Sequence, residues 1–337
     1  MLRPRTVPER VLTILASGLA TFAGLGVART APVPIDIHEW TVPWADTRPR
    51  DPYLDAKGRV WFVGQVGHYL AWLDPSAEKF ERIPLEAGTG PHNLVVAGDG
   101  AVWFSGNLKG YIGRLDPATG AIKRFPMPDP EAKDPHTLIF GPRGELWFTV
   151  QAGSFVGRLD PKSGTVRLVK IPTPGARPYG IALDSKGRPF FNEFGTAKLG
   201  TLDPATLALK EYPLPEGTRG RRIAITSDDK VWYVDYGRGK LARLDPASGK
   251  VDEWTSPSGD QSLPYAMAGD DRDRLWFVET GPQPNRLVGF DPKTSTYFAN
   301  TPIAGGAGTV RHMVFVRAGR ELWFGTDKNT IGRARIP

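Results

Sequence analysis

An aromatic pair on a β-type run recurs seven times along the chain: Trp61 with Phe62, Trp103 with Phe104, Trp147 with Phe148, Phe190 with Phe191, Trp232 with Tyr233, Trp276 with Phe277, and Trp323 with Phe324. Successive pairs are 42, 44, 43, 42, 44 and 47 residues apart. About 40–45 residues is the length of one four-stranded propeller blade. Helical and leucine-rich repeats are shorter or carry a 3.6-residue period, which is missing here. The spacing therefore predicts an all-β, seven-bladed β-propeller with four-stranded blades. The 39 Gly and 32 Pro support it, because they fall at regular intervals between apolar runs as turn punctuation.

One full unit shows the expected strands. His136–Phe140 is the inner strand, Glu145–Thr149 the second, Phe155–Leu159 the third and Thr165–Ile171 the outer one. Asp160 to Gly164 forms a turn, with Pro161 fixing φ and glycine taking positive φ. The same Asp-Pro turn starts at Asp74, Asp116, Asp203, Asp245 and Asp291, six copies in all. The seventh blade ends at Ile331–Pro337 without an outer strand of its own. Ile35–Pro43 resembles an outer strand, so it is expected to pair into that blade and close the ring, leaving no exposed edge. The aromatic pairs are read as packing between blades.

The N-terminus reads as an export signal: Arg3, Arg5 and Arg10 precede an apolar run from Val11 to Ala28, with small residues at its end. Residues 1–28 are thus expected to be a signal peptide and 35–337 a single propeller domain, periplasmic or secreted. A retained anchor is the other reading of the apolar run. No cysteine is present, which excludes disulfides and thiol catalysis. The net charge of +7 is scattered, with no basic block to track a phosphate backbone. The expected partner is therefore a small molecule rather than nucleic acid or, after signal cleavage, a membrane, and the chain is expected to be a monomer.

The aromatic pairs also serve as a ruler. Eleven residues before each lie Arg50, His92, His136, Tyr179, Arg221, Tyr265 and His312, each large and polar at the start of an otherwise apolar inner strand. These predict a collar around one mouth of the central channel, and hence a substrate-binding site. Three of the five histidines fall on it, His38 and His68 being the others. Three or four residues past each aromatic lie Gln65, Asn107, Gln151, Glu193, Asp235, Glu279 and Asp327. The expected cross-strand pairs are Tyr179 with Glu193, Arg221 with Asp235, Tyr265 with Glu279, and His312 with Asp327. The last is a candidate acid–base pair, since imidazole titrates near neutrality and a carboxylate sets its tautomer.

Particular stretches carry a family resemblance: Arg177–Ile181, Leu275–Glu279, Tyr111–Leu115 and Lys210–Pro215. With them the region from about 35 to 337 resembles the virginiamycin B lyase (streptogramin B lyase) family. The resemblance implies a seven-bladed propeller that opens the ring of a cyclic depsipeptide antibiotic by elimination, with Mg2+, a resistance activity. It implies His312 as general base and Asp327 at the place of a magnesium-binding glutamate. Val310 stands where the family has a second such glutamate, and Tyr265 where it has a substrate-contacting histidine. Two readings stay open: a lyase-like enzyme in which His312 removes a proton and Asp327 orients it or holds metal, or a non-catalytic periplasmic ligand- or peptide-binding propeller. A propeller lactonase is a variant of the first, drawing on Glu193, Asp235 and Glu279.

Overall fold

The computed structural model describes residues 1–2 and 32–337. The expected signal segment, 1–28, lies almost wholly outside the described residues. Residues 32–337 form one compact unit of seven four-stranded antiparallel sheets, as the aromatic ruler predicts. In the first blade Pro49–Leu54, Val60–Gly64, Tyr69–Asp74 and Lys79–Pro84 run from the inside outwards. Among the described residues the only helices are two single 3-10 turns, and no helix is long and apolar enough to cross a membrane.

The seventh sheet is composite. Asp36–Thr41 pairs antiparallel with Thr330–Arg335, which pairs in turn with Glu321–Thr326 and the inner strand Val310–Val316. Trp40 stacks on Trp323 at 5.4 Å between centroids, which seals the junction with an aromatic contact.

The leading aromatic of every pair is at most 2% exposed. Each packs against the neighbouring blade: Trp61 lies among Leu94, Val102 and Phe104, and Trp323 among Val60, Phe62 and Tyr69. Burying an indole strands its N–H unless an acceptor is supplied. Asp55, Asp270 and Glu321 supply it to Trp61, Trp276 and Trp323 at 2.9–3.0 Å. The second aromatic needs room beneath the third strand. A Cβ on Gly157 would lie 2.1 Å from the ring of Phe148, so only glycine fits there.

Candidate functional site

Every inner strand carries a β-bulge near its start. In the fourth blade Pro178 faces Glu193 and Ile181 faces Phe191, so Tyr179 and Gly180 together oppose one residue, Asn192. The same slip leaves His92 with Asn93, His136 with Thr137, Arg221 with Arg222, and Tyr265 with Ala266 in the bulge. A bulge bends its strand and re-aims side chains. Here it produces two stacked rings, one from the first bulge residue and one from the second.

The first ring is the collar, and its members do come together. The rings of His92 and His136 lie 3.6 Å apart between centroids, and those of His136 and Tyr179 4.4 Å. The Tyr179 and Tyr265 hydroxyls are hydrogen-bonded to each other. Arg221 lies over both tyrosines, its Cζ 5.1 Å and 4.7 Å from their ring centroids. Arg50, His92, His136, Tyr179 and Tyr265 are each at most 5% exposed, so the collar is a packed plug rather than an open bowl.

His312 is not in the collar. In the seventh blade Val314 faces Trp323 nine residues on, whereas Ala182 faces Phe190 eight residues on, so this hairpin is one residue longer. The count back from the aromatic slips by one, and Arg311 takes the collar place. His312 falls in the second ring, with Asp51, Asn93, Thr137 and Arg222.

That second ring is a buried polar network, and counting alone did not single out its other members. Repeating the same count at ten residues before the aromatic would have found Asp51, Asn93, Thr137 and Arg222. Asp51 accepts a hydrogen bond from Asn93 Nδ2 at 2.8 Å and one from Arg222 Nη2 at 3.4 Å, with Arg50 Nε 3.5 Å away. Arg222 also donates to Thr137 Oγ1 at 3.0 Å and, across the channel, to the Arg311 carbonyl at 2.9 Å. Burial alone would raise the Asp51 carboxyl, but Arg50, His312, Arg222 and the Asn93 amide hold it well below the usual range.

His312 is lowered to about 4, first by burial and then by Arg222 and Arg50, with Asp51 opposing. It is therefore neutral at pH 7, and its buried Nδ1 has no hydrogen-bond partner among the described residues. His92 and His136 are held well below the ordinary imidazole value, by burial and the nearby guanidinium groups. Burial would raise Tyr179, yet Arg222, Arg50 and Arg221 bring it below the usual phenol value.

Below the second ring the channel opens into a cavity of about 460 Å³. Asn93, Thr137, Arg222 and His312 line its polar end, and Leu138, Ile181, Ile223, Met267 and Met313 form apolar walls.

The residues across the hairpins behave unevenly. Gln65 does reach its collar partner, accepting from Arg50 Nη1 at 2.9 Å. The acids do not. Glu193 accepts from Thr196, Asp235 from the Arg219 amide and Arg238, and Glu279 from the Ser258 amide. The reason is strand parity. Glu193, Asp235 and Glu279 directly face Pro178, Gly220 and Pro264, so the collar residue one step on points to the other face. Burial and the neighbouring Glu211 raise Glu193 to about 7, and burial raises Glu279.

Asp327 lies at the exposed rim. Both its oxygens accept from Arg311 Nη1, at 2.8 and 2.7 Å, and Arg48 Nε is 3.9 Å away. No hydrogen bond joins it to His312 among the described residues; the carboxylate acting on His312 is Asp51. These residues do not suit Mg2+. A hard cation wants several free oxygen ligands, whereas Asp327 is engaged by a guanidinium and Val310 is a fully buried hydrocarbon. Among the described residues no three acidic, His or Cys side chains gather as a metal site.

Comparison with known proteins gives this architecture a lineage. No curated protein sequence matches the chain. Virginiamycin B lyase from Staphylococcus aureus superposes with a TM-score of 0.80 at 25% identity, over 90% of this chain and 100% of that one. The structure of its catalytically inactive histidine-to-alanine variant with quinupristin matches equally well. Hydrazine synthase of Kuenenia stuttgartiensis shares the fold alone, at 14% identity and a TM-score of 0.71 over 88% of this chain and 97% of that one. The model of the virginiamycin B lyase family matches residues 23–277, five whole blades and the start of the sixth, and so the chain belongs to that family.

Proposed function

We propose that the chain is an elimination lyase acting on an ester of a small molecule, with His312 as the base. The observation that carries this reading is a neutral imidazole on the wall of the channel cavity, beside the buried Asp51 carboxylate. His312 takes the proton from the carbon next to the one bearing the ester oxygen. The C–O bond breaks, a C=C bond forms, and the carboxylate departs with the bonding pair. Asp51 stabilises the imidazolium that results, and Arg222 and Arg50 stabilise developing negative charge. In the related lyase a histidine-to-alanine change gives an inactive enzyme, which supports a histidine in this role. The chain would work outside the cytoplasm, as a monomer, on a small molecule.

Asp327, occupied by Arg311, plays no part in the proton transfer on this reading, and no step passes through a metal. The test is to incubate the purified protein with a streptogramin B, with and without Mg2+, beside His312→Ala. Elimination gives a linear product of unchanged mass, whereas hydrolysis adds one water. The expected result is the unchanged-mass product, independent of Mg2+ within about twofold and lost at least about a hundredfold in His312→Ala. A mass gain of one water, or His312→Ala with full activity, overturns the mechanism.

A second reading is a binding propeller without catalysis. It is favoured by the absence, among the described residues, of any hydrogen bond that orients His312. Ligand binding without conversion of any ester offered would select it.

A further inference from the structure

Charge at the collar mouth does not balance. Arg50 and Arg222 share the Asp51 carboxylate, and Arg311 is engaged by Asp327. Arg221 has neither a carboxylate nor a hydrogen-bond acceptor among the described residues, and its Nε is buried without a partner. Instead it is surrounded by aromatic faces. Its Cζ lies 3.7 Å from the ring centroid of Phe194, 4.7 Å from that of Tyr236 and 4.7 Å from that of Tyr265. Such a frame fixes a guanidinium and strips water from its faces. Arg221 remains half-buried rather than sealed.

A second observation points the same way. Arg50 is only 5% exposed, yet its Nη2 has no partner. Leaving a buried charged donor unsatisfied is unfavourable, so the collar holds more guanidinium charge than its own acceptors answer. Tyr179 lies among Arg222, Arg50 and Arg221, which lower its phenol against the opposing effect of burial.

We infer that the ligand of this propeller carries a carboxylate, which Arg221 holds in its aromatic frame at the collar mouth with Arg50 beneath it. This deepens the lyase reading: Arg221 adds an anion subsite, so an ester that also bears an acid group is the preferred substrate and a neutral streptogramin B a poorer one. A planar fork matches a carboxylate with two parallel hydrogen bonds, and the surrounding rings favour an acid attached to an apolar or aromatic body.

The test is calorimetric titration of the purified chain with 3-phenylpropionate, its neutral amide and inorganic phosphate, in wild type, Arg221→Gln and Arg221→Lys. Binding of 3-phenylpropionate at least about tenfold tighter than the amide is expected, weakened about tenfold or more in Arg221→Gln and partly restored in Arg221→Lys. Raising salt should weaken the acid and leave the amide unchanged. Phosphate binding tighter than 3-phenylpropionate would replace the carboxylate with a phosphate ester. Equal affinity for acid and amide, no binding of either, or an unaffected Arg221→Gln would overturn the inference. The readout needs no turnover, so the two proposals fail separately. Acid-selective binding without elimination keeps this one and sinks the lyase, and elimination of a neutral ester without acid selectivity does the reverse.

Discussion

The two ends of the channel are built from the same seven strands and share almost no chemistry. The first two residues of each bulge form rings of His, Tyr, Arg, Asp and Asn, packed until most are nearly inaccessible. The residues that follow are mainly Leu, Ile, Val, Met and Ala around an open cavity, with Thr226, Asp270 and Asp273 further along its lining. One end is crowded and ionic, the other spacious and walled mainly by aliphatic side chains. A blade needs its aromatic pair for packing and its turns for geometry, but nothing in the repeat dictates the bulge residues. Selection for a ligand is thus free to act there without disturbing the blades.

Acid should break this contrast most severely. His92, His136 and His312 are held below their ordinary value of 6.5 in the fold, His312 at about 4. Between those limits the unfolded chain binds more protons than the folded one, so stability rises with pH across the window. It is lost as pH falls from 6.5 towards 4, and protonation of Asp51 at still lower pH adds to the loss. Melting temperatures at pH 7, 5.5 and 4.5 should therefore fall steeply. A flat series would mean that the imidazoles are hydrated and the plug is open.

Arg222→Met comes next. It withdraws one of the two guanidinium groups from buried Asp51 and unties the second ring from the Arg311 carbonyl. A loss of about 3 kcal/mol in guanidinium chloride unfolding is expected, the lower part of the range for breaking a buried pair. A neutral outcome would assign the holding of Asp51 to Arg50 and Asn93 alone.

Met267→Ala probes the apolar end. Met267 is 4% exposed on the cavity wall. About 2 kcal/mol is expected, because one side of the site already faces open space, with the acid sensitivity of melting unchanged. An altered pH dependence would show that the two ends are coupled.

The aromatic ruler made the propeller, the blade count and the closing strand legible before any coordinates. Burying Trp or Phe at one position in every blade leaves a regular mark. The collar was legible for the same reason in six blades. It failed in the seventh because a count along the chain cannot detect one extra residue in the hairpin between Val314 and Trp323. That residue moved His312 one ring deeper and put Arg311 in its place. The acid partners were misjudged through parity: Glu193 and Glu279 are near the collar in sequence register but on the other face of the strand. Asp51 was invisible because its importance lies in contacts with Arg222 and Asn93, which come from other blades.

The strand Asp36–Thr41 does more than cover an edge. Its Glu39 accepts a hydrogen bond from Thr330, 291 residues away, and the blade it completes is the one that carries His312. During synthesis His312 could not be held in place until nearly the whole domain had emerged and the early strand had found its late partner. Loop closure over such a span is slow to achieve. Six blades without the seventh would have Asp51 and Arg222 but no His312 beside them. Ring closure and assembly of the site are then a single event, so an incompletely folded chain would present no half-built site.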